Sequence, residues 1–262
     1  MTSSAPSFER VLITNDDGIA ASGLALLEEI TADLAREIWV VAPETEQSAS
    51  GHSLTLTEPT RIRQVGERRF SVRGTPTDCV MLAVNHIMME ARPSLVLSGV
   101  NRGINLGEDV TYSGTVAAAF EGTLAGIPSI ALSQERVAGQ RSADWQVARD
   151  HAPALVEDLV SRGWPEGVCL NVNFPAADSG PVRGVKITRQ GRRDLAGLRV
   201  EERRDLRGFA YYWFNLQREC HTSPEGTDLW AIQNRWISVT PLHLDLTHHE
   251  SLDLLEAHNS SR

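Results

Sequence analysis

Along the first half of the chain, short apolar runs alternate with stretches whose apolar residues recur at helical spacing. Val11–Thr14 is brief and apolar and predicts a buried strand. Leu24, Leu26, Leu27, Ile30 and Leu34 follow at helical spacing behind Ser22, which predicts a helix capped by that serine. Ile38–Ala42 predicts a second buried strand, stopped by Pro43. Val80, Val84, Ile87 and Met88 predict another helix, with Pro93 beyond its end. Asp78, after Pro76, reads with Thr77 as a helix cap rather than a catalyst. Ser94–Val100 predicts a strand, Thr115–Leu124 an Ala-rich helix closed by Gly126, and Ser129–Leu132 a further strand. Ala143–Arg162 and Val168–Val172 continue the series as helix and strand. This alternation predicts an α/β fold, a mostly parallel sheet with helices on both faces. In such sheets ligands bind at the loops leaving the carboxyl ends of the strands.

The pattern then changes. From about Arg183 to Cys220, basic and apolar residues alternate around the cluster Phe209, Tyr211, Tyr212, Trp213 and Phe214. Arg207–Gly208 reads as the turn of a β-hairpin, so this region is expected to form a C-terminal arm. A projecting hairpin is marginal alone, and so large an apolar run predicts exchange of the arm between identical subunits. Trp236–Pro241 predicts a late strand and Ser251–Ala257 a short final helix. The expected organisation is one domain: a core over about 9–180, the arm over about 183–220 and a C-terminal segment over 221–262.

Composition narrows the partners. The formal net charge of −9 argues against a duplex nucleic acid, for which a basic surface is the rule. Small phosphorylated ligands stay compatible with it, because a metal ion can supply local positive charge. No apolar run approaches the roughly 20 residues of a membrane helix. Met1–Glu9 lacks the basic and apolar stretches of a secretory signal, which makes the cytoplasm the expected location. Cys79, Cys169 and Cys220 are odd in number and far apart, with no CxxC pair, so neither a disulfide framework nor a structural zinc site is expected. Nearly all cationic residues are arginine, and Lys186 is the only lysine.

Three strand-end loops carry candidate chemistry. The first is Ile13-Thr14-Asn15-Asp16-Asp17-Gly18, with two adjacent carboxylates directly after a buried strand. A turn there brings both toward one ion; the alternative is a polar turn with one aspartate as a helix cap. The second, 42–53, is long, polar and rich in small residues, and contains Ser48 and His52. The third runs from Ser98 through Asn101, Asn105 and Asp109 to Thr111-Tyr112-Ser113-Gly114-Thr115-Val116, which opens the Ala-rich helix. Free N–H groups at a helix start, close-approaching glycines and the hydroxyls of Ser113 and Thr115 make an anion cradle; an elaborate loop before a normally capped helix is the alternative. Asp16, Asp17, Ser48 and Asn101 are all oxygen donors, a set suited to Mg²⁺ or Mn²⁺ rather than zinc. A divalent ion beside an anion cradle is what phosphate-ester hydrolysis requires, since the ion polarises a phosphoryl oxygen and acidifies bound water.

These stretches resemble the SurE (survival protein E) family. The matching blocks are ITNDDGI at 13–19, VVAP followed by Ser48 at 40–48, GTPTDCV at 74–80, SGVNRGINLGEDVTYSGTVAAAFEG at 98–122, LNVNFP at 170–175, GTD at 226–228 and TPLHLDLT at 240–247. They run in order over nearly the whole chain, and the block at 98–122 is the most specific. The resemblance implies a Rossmann-like core and a 5′/3′-nucleotidase, a phosphoric monoester hydrolase that frees phosphate from nucleoside monophosphates with one divalent ion per subunit. It extends, for some members, to exopolyphosphatase activity. It implies Asp16, Asp17, Ser48 and Asn101 as metal ligands, with Asp16 and Asp17 catalytic, and Asn105, Ser113, Gly114 and Thr115 around the phosphate. Homodimers or homotetramers with an exchanged C-terminal arm are implied too. Residues 1–8 extend beyond the family's usual start, and disorder is expected there.

The remaining candidates read more plainly. His243 and the pair His248–His249 are expected at the surface or an interface rather than as metal ligands or acid–base groups. His52, in the second loop, is a better candidate than these to touch substrate, though a surface place is the expectation for it as well, and Asp109 is expected to support the Asn-rich loop. Competing functions are an Asp-nucleophile phosphatase, a nucleoside hydrolase and a non-catalytic nucleotide-binding module. The first usually separates its two aspartates by one residue, whereas Asp16 and Asp17 are adjacent. The phosphate cradle disfavours the second, and the third has little need of a metal set.

Overall fold

The computed structural model describes residues 6–137, 139, 144–193, 198–216 and 222–259. Its elements in chain order are β1 (Phe8–Thr14), α1 (Ser22–Thr31), β2 (Ala35–Pro43), β3 (Ile62–Gly66), β4 (Arg69–Val72), α2 (Pro76–Leu82), β5 (Leu95–Arg102), α3 (Gly114–Leu124), β6 (Ser129–Gln134) and α4 (Gln146–Arg162). There follow β7 (Val168–Phe174), β8 (Val185–Ile187), β9 (Leu198–Arg204), β10 (Ala210–Leu216), α5 (Asp228–Gln233), β11 (Ile237–His243) and α6 (His249–Asn259).

Nine strands form one sheet in the order β3-β4-β2-β1-β5-β6-β7-β11-β8. The six from β4 to β7 are parallel, while β3 and β11 run antiparallel to their neighbours β4 and β7. Numbered among those six, the order is 3-2-1-4-5-6, the Rossmann arrangement. Its direction of build reverses at β1, so the switch point falls between β1 and β5.

Strand residues alternate between two covered faces, which is why the central strands read as unbroken apolar runs. Val11 and Ile13 face α1 and α4, packing with Leu24, Leu27, Ala148 and Val156. Leu12 faces the opposite layer, with Val41, Val96, Cys79, Val80 and Ala118 around α2 and α3. Leu12, Leu24 and Leu27 are fully buried, and truncating any one to alanine would cost about 2–5 kcal/mol.

Two caps differ from the sequence reading. Helix α1 starts at Ser22 itself, with Ala21 in the capping position making no side-chain bond. The Ser22 hydroxyl instead accepts from the Trp145 indole at 3.3 Å, joining α1 to the start of α4. At α2 the cap is Thr75, and Asp78 completes a capping box by accepting from the Thr75 N–H at 2.8 Å. A proline at the first helical position moves the cap one residue before it. The helix predicted from Ala143 begins at Gln146, and Ala143 lies outside the described residues. Cys79 and Cys169 are buried free thiols, and Cys220 is outside the described residues. The disorder expected over 1–8 falls largely there as well: residues 1–5 are not described, and Phe8 already belongs to β1.

The region predicted as an arm has two parts. Residues 183–193 stay with the core, because β8 pairs with β11 and Thr188 N–H donates to Val239 O. Lys186 on β8 holds its ammonium 5.1 Å from the ring centres of both Trp230 and Trp236. Strands β9 and β10 form a separate antiparallel pair. Its turn is closed by Asp205, whose Oδ1 accepts from the N–H groups of Arg207 and Phe209. Phe209, Tyr211, Tyr212, Trp213 and Phe214 are all exposed along it, as are Leu252, Leu254 and Leu255 on α6. Among the described residues no helix is long and apolar enough to cross a membrane.

Candidate active site

Strand β1 ends in a tight turn that Asn15 closes with its own side chain. Its Nδ2 donates to Gly18 O at 3.0 Å and its Oδ1 accepts from Gly18 N–H at 3.2 Å. The turn directs Asp16 and Asp17 into a cleft at the carboxyl edge of the sheet. Asp16 is 6% exposed, and its Oδ1 accepts a 2.7 Å hydrogen bond from the Thr115 hydroxyl. Burial pushes its carboxyl up from 3.8 to about 6; the Thr115 bond opposes this and the neighbouring Asp17 charge adds to it. Burial also raises Asp17, opposed by the Arg102 N–H at 3.4 Å and reinforced by Glu46. Two adjacent carboxylates disfavoured as anions form a site that a cation would relieve.

The β2 loop is tied to the same turn by Gln47 N–H, which donates to Asp16 O at 2.8 Å. Beyond it, the Ser48 hydroxyl donates to Glu46 Oε1 at 2.7 Å. Strand β5 reaches the cleft through a bulge, where its register against β6 shifts between Ser98 and Asn101. Gly99 sits inside that bulge at φ +136°, and a Cβ there would lie 2.2 Å from Leu132 O, so only glycine fits. After the bulge, Asn101 Nδ2 donates to Gly103 O at 2.8 Å, which leaves its Oδ1 as the atom for a cation.

The Asn-rich loop is fixed from below. Asn105 donates its backbone N–H to Asn173 Oδ1 at 2.8 Å and its Nδ2 to Ser133 Oγ at 2.8 Å. Its carbonyl accepts from Asn171 Nδ2 at 2.8 Å and from Asn173 Nδ2 at 3.2 Å. Asp228, at the start of α5, accepts from Gly107 N–H at 2.9 Å and from Gly191 N–H at 2.8 Å, clamping two loops together. Asp109 pairs with Arg193 at 3.0 Å beside the cleft. Ser113 caps α3 by accepting from Val116 N–H at 3.1 Å.

The cleft has a volume of about 290 Å³. Asp16, Asp17, Ser48, Asn101, Asn105 and Ser113 line it together, although they come from three separate loops of the chain. Gly114 and Thr115 lie behind Asp16. A Cβ at Gly114 would come within 2.8 Å of Asp16 Cβ, and the Thr115 hydroxyl is committed to Asp16. His52 does not line the cleft; it pairs with Glu121 at 3.1 Å. His243, His248 and His249 are exposed on the C-terminal segment. Glu46, Arg102, Tyr112 and Arg136 line the cleft without having been singled out from sequence. Glu46 lies in the second of the three strand-end loops, and Arg102 and Tyr112 in the third, while Arg136 lies outside all three.

The donor set fits a hard divalent ion. Among the described residues no three His, Cys, Asp or Glu side chains converge on a metal-sized site. A cation here would be held by Asp16 and Asp17 with the neutral oxygens of Ser48 and Asn101, a set that offers neither sulfur nor imidazole.

The chain is similar to proteins of known family over most of its length. The family model described as survival protein SurE matches residues 11–197. The protein named 5′-nucleotidase SurE from Parvibaculum lavamentivorans is 53% identical over 247 residues, covering 94% of this chain and 89% of its own. Its namesake from Paramagnetospirillum magneticum is 53% identical over 251 residues, covering 96% of each chain. In structure, the chain is similar to the SurE protein from Aquifex aeolicus, with TM-score 0.80, 42% identity and coverage of 94% of this chain and 99% of that one.

Proposed function

This chain belongs to the SurE family, and from that membership together with the cleft we propose that it is a nucleotidase, a phosphomonoesterase that frees phosphate from nucleoside 5′- and 3′-monophosphates. One observation carries the reading: two adjacent carboxylates, Asp16 buried and Asp17 half-buried, two neutral oxygen donors and a capped helix start meet in one cleft at the switch point of the sheet. The curated relatives bear the name 5′-nucleotidase, which supports the substrate class.

Asp16, Asp17, Ser48 and Asn101 would hold one Mg²⁺ or Mn²⁺ ion. When bound, such an ion supplies positive charge at the phosphoryl oxygens and makes nearby water more acidic. The chain's own part is orientation. Thr115 holds Asp16 in one rotamer by its 2.7 Å bond, and Gln47 N–H holds the backbone beneath it. Asn105 and Ser113, with the N–H groups opening α3, would receive the phosphate oxygens. Attack by water in a single displacement leaves no phosphate on Asp16, which separates this reading from an Asp-nucleophile phosphatase. The exposed aromatics of β9–β10 support assembly as a homodimer or homotetramer through that hairpin. A cytoplasmic location and an additional exopolyphosphatase activity remain part of the same proposal.

The test is to incubate the metal-stripped protein, with and without added Mn²⁺, with a panel of mononucleotides, and to assay free phosphate and free base. Mn²⁺-dependent phosphate release is expected. Release of free base instead would assign the cleft to glycosidic cleavage, and full activity without metal would remove the ion from the scheme.

A further inference from the structure

The cleft presents an electrostatic problem for the substrate just assigned to it. Asp16, Asp17 and Glu46 all line it, and none has an ion-pair partner among the described residues. Asp109 also lines it but is matched by Arg193. A divalent ion would offset two of the three open carboxylates, and a phosphate monoester then brings up to two further negative charges. Something in the chain must supply the balance if the ester is to enter at useful affinity.

Two guanidinium groups are placed to do so. Arg102 ends β5, and Arg136 lies just past the end of β6, its neighbour in the sheet. Arg102 stands opposite Gln134 in the β5–β6 register, so the two arginines leave adjacent strand ends on the carboxyl edge. They flank Gly103: a Cβ at that glycine would be 4.0 Å from Arg136 Cδ. Both are exposed, both line the cleft, and neither side chain has a hydrogen bond or ion pair among the described residues. Some arginines elsewhere are matched by carboxylates, as in Arg69–Glu28, Arg149–Glu29 and Arg193–Asp109. Unpaired cations on the rim of an acidic cleft steer anions and grip them by charge-assisted bonds.

We propose that Arg102 and Arg136 are the phosphate-capturing residues of this cleft, a paired cationic rim that selects dianionic phosphate esters and draws them past the carboxylates. This role presupposes the phosphomonoesterase reading for its substrate, but the rim's affinity for phosphate is measurable without turnover. The rim acts on capture, so its loss is felt in KM, in the affinity for inorganic phosphate and in salt dependence, rather than in the chemical step.

The experiment uses the Mn²⁺-loaded full chain with Arg102→Gln, Arg136→Gln, the double variant and the corresponding lysine variants. Three quantities are read: KM and kcat for a nucleoside monophosphate, the calorimetric Kd of inorganic phosphate, and kcat/KM against ionic strength. Each glutamine change is expected to raise KM and the phosphate Kd by about tenfold, with kcat changed by no more than about twofold. The lysine variants should recover most of the affinity, and the double glutamine variant should flatten the salt dependence. Unchanged KM and phosphate Kd in the double variant would overturn the proposal. So would a fall in kcat with phosphate affinity intact, because it would put the arginines in the reaction step instead. If no nucleotide is hydrolysed while phosphate binds and weakens as expected, the rim stands and the reaction assigned above fails.

Discussion

The cleft and the β9–β10 hairpin invert the usual rule of burial in opposite ways. The cleft buries what water would favour: Asp16 is 6% exposed with its carboxyl pushed up to about 6. The hairpin exposes what water would reject, with Trp213 at 58% and Phe214 at 72%. Each is unfavourable for an isolated chain, and each would be relieved by a partner of matching chemistry, a cation in one case and an apolar surface in the other. Damage should therefore separate cleanly: changes in the cleft should stop turnover and spare the fold, and changes in the hairpin should alter assembly and spare the chemistry.

The sharpest way to break that separation is at the aspartates. Asp16→Asn and Asp17→Asn are each expected to lower kcat/KM by about 10³-fold or more at saturating Mn²⁺. Their metal-free melting temperatures should equal or exceed that of the parent protein, since one of two adjacent carboxylates, both disfavoured as anions, is gone. Activity surviving in both would detach the pair from catalysis, and a large drop in melting temperature would make it structural.

Gly114→Val tests the same side more gently. The new Cβ would crowd Asp16 Cβ at 2.8 Å, displacing a carboxylate without removing it. A misplacement of that order should cost about 10²-fold in turnover. Wild-type kinetics in this variant would mean that Asp16 tolerates movement.

On the hairpin side, replacing Tyr212 and Trp213 together by serine should yield monomers at micromolar concentration in light scattering. Turnover per chain should fall by less than about tenfold. A parent protein that is already monomeric there would end the assembly reading and leave the cleft untouched.

The smallest effect concerns pH. The raised carboxyl of Asp16 means the folded protein holds that proton more tightly than the unfolded chain does. The stability this adds is complete below about 3.8 and is lost as pH rises through about 6, with Asp17 acting in the same direction. Denaturation midpoints of the metal-free protein should therefore fall relative to those of Asp16→Asn across that window. Parallel curves for the two proteins would show that Asp16 titrates normally.

What could be read from sequence follows the same physics. β1, β2, β5, β6 and β7 were legible because both their faces are covered, which forces continuous apolar runs. β3 and β8 were not, because they lie at the two edges of the sheet, are short, and expose most of their residues. In the site, the residue types and their strand-end positions pointed to the donors. Orientation was hidden: nothing in the sequence tells that the Thr115 hydroxyl is committed to a carboxylate 99 positions away. The same limit concealed Asp228, which grips Gly107 across 121 positions, and Arg136, which reaches the cleft only because β5 and β6 are neighbours.

The ammonium held between Trp230 and Trp236 has a practical corollary. Lys186 is the only lysine in 262 residues, so amine-directed acylation has a single side-chain target, at the edge strand of the sheet. Neutralising it would remove the cation from two indole faces at once. The chain thus carries its own paired label and reporter: one reactive side-chain amine, and beside it two of the six tryptophans, whose emission should register whether it has been modified.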